Sequence, residues 1–342
     1  MPVAVPMEVL LVGGSGFMGR HVAHALLAAG HKVTVLSRGR RDAPAGAATL
    51  AADRGDRGSL AAALENRRFD LTIDFLVYDA TDLERLLLVP YAALGRYFMI
   101  SSGQVYLVTA GGEPPYREED AERTVSAEPP PGTRDHDEWR YGLGKRRAEK
   151  TLLALRGTHG VRGVALRLPT VQGEGDGSLR LWAYLERMLD GAPLVLPDGG
   201  KRLTRFLYAG DLARALARLA ESPTPRNAAY NLAAPEVVPL REFLERVAHA
   251  AKLKQRFVDA SWDECRAAGL DEAFSPYAGA WTSVLDPSRA AAEWGFLGTR
   301  LDDYLPQVVR WHLEHRPAKS HPGYTQRARE RELAARLAGA AR

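Results

Sequence analysis

The stretch Val9-Leu10-Leu11-Val12-Gly13-Gly14-Ser15-Gly16-Phe17-Met18-Gly19 constrains the fold more than any other part of this chain. An apolar run of four that ends in glycines is too short for a helix and fits a buried parallel strand. Val22, Leu26 and Leu27 then recur at helical spacing, and His31-Lys32-Val33-Thr34-Val35-Leu36 reads as a second strand. The pattern predicts a βαβ unit. Within it Gly13 makes the tight turn, Gly16 admits a pyrophosphate to the backbone, and Gly19 lets helix and strand pack closely. A helix that starts directly after such a loop offers unpaired N–H groups and a positive dipole end to phosphates. The loop therefore predicts dinucleotide binding.

Beyond the second strand comes Ser37-Arg38-Gly39-Arg40-Arg41. An acidic residue there would take a ribose hydroxyl, whereas arginines fork around a 2′-phosphate. The turn predicts NADP in preference to NAD, with Arg38 the first contact. Residues 49–52 read as a third strand leading to Asp53, a candidate acceptor for the adenine amino group, with Asp56 the competing residue. Residues 71–77 and 97–102 read as further strands, each after a helical stretch. Strands alternating with helices imply a parallel, doubly wound sheet.

The strand over 97–102 ends in Ser101-Ser102, and ligands of such sheets bind beyond the carboxyl ends of strands, so the Ser102 hydroxyl is a candidate substrate contact. Residues 111–140, rich in proline and acid, read as a solvated loop or a lid. They lead to Tyr141-Gly142-Leu143-Gly144-Lys145. At i, i+4 spacing the phenol and the ammonium share a helix face, and an ammonium beside a phenol favours its ionised form. Tyr141 is thus a candidate acid/base with Lys145 as its tuner.

The single cysteine, Cys265, cannot form an internal disulfide. No apolar run reaches the ~20 residues a membrane span needs. Residues 1–7 lack the basic start of a secretion signal, so a cytoplasmic setting is expected and no membrane partner. A formal net charge of +4 mildly favours anionic partners, but the basic tail carries no interleaved aromatic residues, as single-strand binding would require. No metal site is expected.

In these motifs the chain resembles the extended short-chain dehydrogenase/reductase family of NAD(P)-dependent epimerases, dehydratases and reductases. Later matches are Leu166-Arg167-Leu168-Pro169-Thr170-Val171-Gln172-Gly173, Phe206-Leu207-Tyr208-Ala209-Gly210-Asp211 and Asp286-Pro287-Ser288-Arg289-Ala290. The segment Leu194-Val195-Leu196-Pro197-Asp198-Gly199 and the tail around Tyr324, Arg327 and Glu330 are similar to the branch that includes chloroplast stem-loop-binding proteins.

The resemblance implies an α/β Rossmann fold with a smaller C-terminal substrate domain. Residues 1–168 with 203–234 would form the dinucleotide domain, 169–202 with 235–315 the substrate domain, and 316–342 a linker and terminal helix. It makes Tyr141 the acid/base, Lys145 the ribose-binding tuner and Ser102 the substrate-orienting hydroxyl. The cofactor contacts it implies are Gly13, Ser15, Gly16, Phe17, Met18, Gly19, Arg38, Asp53, Tyr141 and Lys145. A small-molecule substrate follows, and a homodimer is common in the family.

Gly103 and Gln104 stand where the family's dehydratases carry an acidic pair, and Thr204 where its epimerases often carry an arginine. Arg180, Arg187, Lys201, Arg202 and Arg205 would suit an anionic substrate, with Trp182 and Tyr184 nearby. The leading expectation is an oxidoreductase. An epimerase with tightly bound NAD and a non-enzymatic RNA-binding protein are the alternatives.

Overall fold

In the computed structural model, which describes residues 5–89, 92–158 and 161–340, the first apolar run is β1 (Glu8–Val12), completely buried from Val9 onward. Residues 1–4, part of the stretch read for a secretion signal, and 341–342, the end of the tail, lie outside the described residues. β1 joins β2 (Lys32–Ser37), β3 (Ala48–Ala51), β4 (Leu71–Asp74), β5 (Arg96–Ser102), β6 (Gly163–Leu168) and a last strand, Ala229–Asn231. Their spatial order is Ala229–Asn231, β6, β5, β4, β1, β2, β3, and every pairing is parallel. The winding reverses between β1 and β4, and at that reversal the strand ends leave a crevice.

Alternation along the strands explains why helices cover both faces. Val9, Leu11, Phe98 and Ile100 pack toward α1 (Phe17–Ala28) and the helix Ala209–Glu221. Leu10, Val12, Tyr97 and Met99 pack the other way, toward α2 (Arg57–Leu64), α3 (Ala80–Leu87) and the long helix Arg134–Thr158, which contributes Ala148 and Leu152.

Two elements differ from expectation. β4 stops at Asp74 instead of running to 77, because Asp74 Oδ1 accepts a hydrogen bond from Leu76 N at 2.9 Å and turns the chain. The long helix starts at Arg134, about two turns before Tyr141, so the irregular segment is shorter than 111–140. Part of it is fastened down: Glu118 Oε1 accepts from Asn231 N at 2.8 Å, and Glu119 pairs with Arg289 at 2.9 Å.

The chain divides into two compact units. The first runs to Val171 and takes back Leu207–Ala233 and Leu285–Gly298. Residues 285–298 therefore belong with the sheet and not with the smaller part, since Ala290 and Phe296 enter the core on the α1 side. The second unit holds Gln172–Phe206, Ala234–Val284 and everything from Thr299. In it Leu194–Pro197 pairs in parallel with Phe257–Ala260, over a core of Val195, Cys265, Phe274 and Leu333. The tail is built into this unit. Its helix Arg327–Ala340 carries Glu330, fully buried against Arg187 at 2.8 Å, while Arg327 reaches Asp190 at 2.7 Å.

Candidate active site

At the carboxyl end of β1, Gly13 takes φ +84°, a conformation that side chains resist. Gly19 has no room for one: an added Cβ would lie 2.6 Å from Gly13 O and Gly14 Cα, so α1 rides directly on the loop. The N-cap of α1 is Gly16, with no side-chain cap, and the buried Ser15 Oγ has no hydrogen-bond partner among the described residues. Phe17 and Met18 turn their side chains to the sheet core, so their backbone is what they present to the crevice. Uncapped N–H groups at a helix start and a buried, unsatisfied hydroxyl fit a pyrophosphate.

Arg38, Arg40 and Arg41 are exposed on the turn after β2. Asp53 is exposed after β3, with Oδ1 accepting from Gly55 N at 2.9 Å. Asp56, its competitor, is engaged as the N-cap of α2, accepting from Gly58 N at 2.9 Å.

The second half of the crevice forms where β5 meets the long helix. Ser102 ends β5, and its Oγ accepts from Gln104 N at 3.2 Å. Two glycines let the helix approach this closely. A Cβ on Gly142 would meet Gln104 O at 2.6 Å, and one on Gly144 would meet Tyr78 O at 2.3 Å. Ser102 and Tyr141 thus sit on segments in backbone contact. Lys145 is buried, donates to Ile100 O at 2.9 Å, and has the rings of Tyr78 and Tyr141 at 5.3 and 5.7 Å from Nζ. Burial lowers its pKa to about 8, against the pull of Asp74 and Glu149.

This burial has a thermodynamic signature. A lysine whose folded pKa lies below its ordinary 10.5 costs stability while charged, and the cost fades as pH rises from about 8 to 10.5, where the unfolded chain still holds the proton. The interval corresponds to roughly 3 kcal/mol at most. Lys145→Met is therefore expected to melt higher than the wild type at pH 7, with the gain shrinking toward pH 10.5. Calorimetry across that range checks it, and a variant less stable at pH 7 would refute it.

Sequence reasoning missed the charged supports of the site. Asp74 looked like one residue of an apolar strand, yet it is fully buried and holds Arg54 at 2.6 Å and the Tyr97 hydroxyl at 2.7 Å. A lone carboxylate inside such a run was the available signal. Arg167 and Glu149 form a second buried pair at 2.6 Å.

In the second unit most of the cations considered for an anionic substrate have internal duties. Arg187 pairs with Glu330, Arg202 donates to Ala280 O, and Arg205 donates to Ala234 O and Pro235 O. Trp182 is buried, and Tyr184 is sealed in the core with its hydroxyl on Ser275 at 2.9 Å. Among the described residues no group of His, Cys, Asp and Glu could hold a metal ion, and no helix is long and apolar enough to cross a membrane.

Comparison with known proteins adds the following. Residues 9–233 match the family described as NAD dependent epimerase/dehydratase. The 2'-dehydrokanamycin reductase of Streptomyces kanamyceticus is 32% identical over 250 residues, which are 71% of this chain and 66%, just under two thirds, of that protein. A 3-diazoavenalumate denitrifying reductase of a Streptomyces species is 30% identical over 236 residues, 63% of this chain and 73% of that protein. The solved structure of UDP-glucose 4-epimerase from Thermotoga maritima, with UDP-glucose, shares the fold with a TM-score of 0.70 at 17% identity, covering 90% of this chain and 99% of that one. With its glycine loop, its seven-stranded parallel sheet and this match over most of its length, the chain belongs to the NAD dependent epimerase/dehydratase family of Rossmann-fold enzymes.

Proposed function

We propose that the protein is an NADP-preferring reductase of a small carbonyl compound, with Tyr141 as proton donor. The observation that carries this reading is the buried Lys145 ammonium, fastened to Ile100 O and facing the Tyr141 ring at the end of the strand that Ser102 terminates. When bound, the nicotinamide supplies a hydride to the substrate carbon. Tyr141 gives its proton to the substrate oxygen, and the ammonium of Lys145 stabilises the phenolate left behind. Ser102 Oγ already accepts from Gln104 N, which leaves its own proton to bind the same oxygen. The backbone of Gly13, Gly16, Phe17, Met18 and Gly19, with Ser15 Oγ, holds the pyrophosphate. Asp53 takes the adenine amino group, and Arg38 the 2′-phosphate. Reduction is preferred to epimerisation because both relatives above carry reductase names.

The test is a titration with NADPH and NADH followed by cofactor fluorescence, after release of any copurified nucleotide. Exchangeable NADPH binding tighter than NADH is expected, and Arg38→Ala should weaken NADPH about tenfold by loss of one charge-assisted contact while sparing NADH. NAD that copurifies and does not exchange would turn the reading to epimerase. Binding of neither nucleotide would overturn it.

A further inference from the structure

Lys145 is anchored to Ile100 O on β5, and in the sheet register Asp74 on β4 stands opposite Met99, the residue before Ile100. Asp74 is fully buried, with Oδ1 accepting from Arg54 Nη1 and Leu76 N and Oδ2 accepting from the Tyr97 hydroxyl. Burial, with Asp74 beside it, pushes the Tyr97 phenol up, so it remains a neutral donor. Turning the chain at the end of β4 does not require a charge, because an asparagine side chain can accept the Leu76 N–H as well. An ionised carboxylate in the interior is costly unless it has partners. What it adds over an amide is its field.

We propose that Asp74 and Arg54 are positioning residues that set the charge of Lys145: Asp74 holds the ammonium charged, and Arg54 limits how strongly. This rests on the reading of Lys145 as part of the active site. The rings of Tyr78 and Tyr141 lie against the Lys145 ammonium, and the charges that act on it are Asp74 from β4, Arg54 from the turn after β3, Asp82 from α3 and Glu149 from its own helix. Glu149 is bound through both oxygens by Arg167, and Asp82 lies 3.9 Å from Arg54. Asp74, like Glu149, is thus a carboxylate whose strength at Lys145 depends on one guanidinium. Arg54 also follows Asp53 directly, so the proposed adenine end of the site and Lys145 share this pair.

The pair makes opposite predictions for its two members, which a merely structural role would not. In the full chain carrying 13Cε-lysine, the Lys145 signal, identified by its loss in Lys145→Arg, is titrated by NMR. Asp74→Asn leaves Arg54 opposed only by the more distant Asp82 carboxylate and should lower the charged-to-neutral ratio of Lys145 about tenfold at a given pH. Arg54→Met frees the Asp74 field and should raise it. Tyr97→Phe, which removes a hydrogen bond and no charge, should shift it far less than either. Opposite shifts support the proposal, and an unmoved titration in the folded variants overturns it. If Asp74→Asn fails to fold, Arg54→Met decides alone: a rise supports the proposal, and no change or a fall overturns it. Should Lys145 respond as expected while Lys145→Met leaves turnover and NADPH binding intact, the active-site reading falls and the electrostatic coupling stands.

Discussion

Tyr141→Phe is expected to lower turnover about 10³-fold, in the range that general acid catalysis contributes, while NADPH affinity stays within about twofold. The substitution is nearly isosteric. Phe keeps the ring that lies 6.4 Å from the Tyr78 ring and 5.7 Å from Lys145 Nζ, so packing and the cation–π contact survive and only the hydroxyl, the proposed proton donor, is lost. A loss confined to kcat is the mark of an interaction made in the transition state, whereas a rise in KM alone would assign Tyr141 to substrate binding. Ser102→Ala should cost less, since in the proposed mechanism it removes one of two donors to the substrate oxygen and leaves the proton source in place. Steady-state kinetics with a reducible substrate, beside NADPH titration of each variant, provide the measurement. Turnover of Tyr141→Phe within about threefold of wild type would end the assignment.

What could be read from the sequence was local. The strand, glycine loop and helix around Gly13 are consecutive, and the fit of Gly19 against Gly13 O is decided within seven residues. Tyr141 and Lys145 share a face because a helix repeats every 3.6 residues, whatever surrounds it. The supports of the site depend on segments that meet only after folding. Gly144 is required by the Tyr78 carbonyl, a contact across 66 positions, and nothing in Tyr141-Gly142-Leu143-Gly144-Lys145 shows which backbone will press on it. Asp74 could be seen as an oddity in its strand, but not its partners Arg54 and Tyr97, each more than a helix or strand away. The arginines of residues 180–205 looked like an anion site because charge in a sequence carries no address. Arg187 is answered by Glu330, 143 residues on, and becomes part of the core of the second unit. The same applies to the tail, read as a linker and terminal helix, in whose mixed charge nothing marks Glu330 as the residue that is buried.

Arg167→Met should destabilise the protein by about 3 to 5 kcal/mol, the cost of leaving one partner of a buried pair uncompensated. Against a total stability of roughly 5 to 15 kcal/mol this is a melting shift on the order of 10 °C. The guanidinium of Arg167 grips both oxygens of Glu149, Oε1 at 3.1 Å and Oε2 at 2.6 Å, and also donates to the Tyr106 hydroxyl at 2.9 Å and Glu118 O at 2.7 Å. Tyr106 in turn donates to Asn231 at 2.6 Å, and Ser101 donates to Glu149 at 2.5 Å. One side chain thereby ties β6 to β5, to the long helix and to the last strand of the sheet. Methionine fills much of the volume, so the loss is electrostatic before it is one of packing. The decisive comparison is the double variant Arg167→Met with Glu149→Leu: with both charges gone, the desolvation cost disappears too, and stability should recover well beyond the single variant. Glu149 lies one helical turn after Lys145, so the single variant also exposes that lysine to an unpaired carboxylate and should raise its pKa. Recovery of both stability and the Lys145 titration in the double variant would show that the pair exists to neutralise Glu149 beside the site. A double variant no more stable than the single one would show instead that Arg167 is held for its neutral contacts to Tyr106 and Glu118.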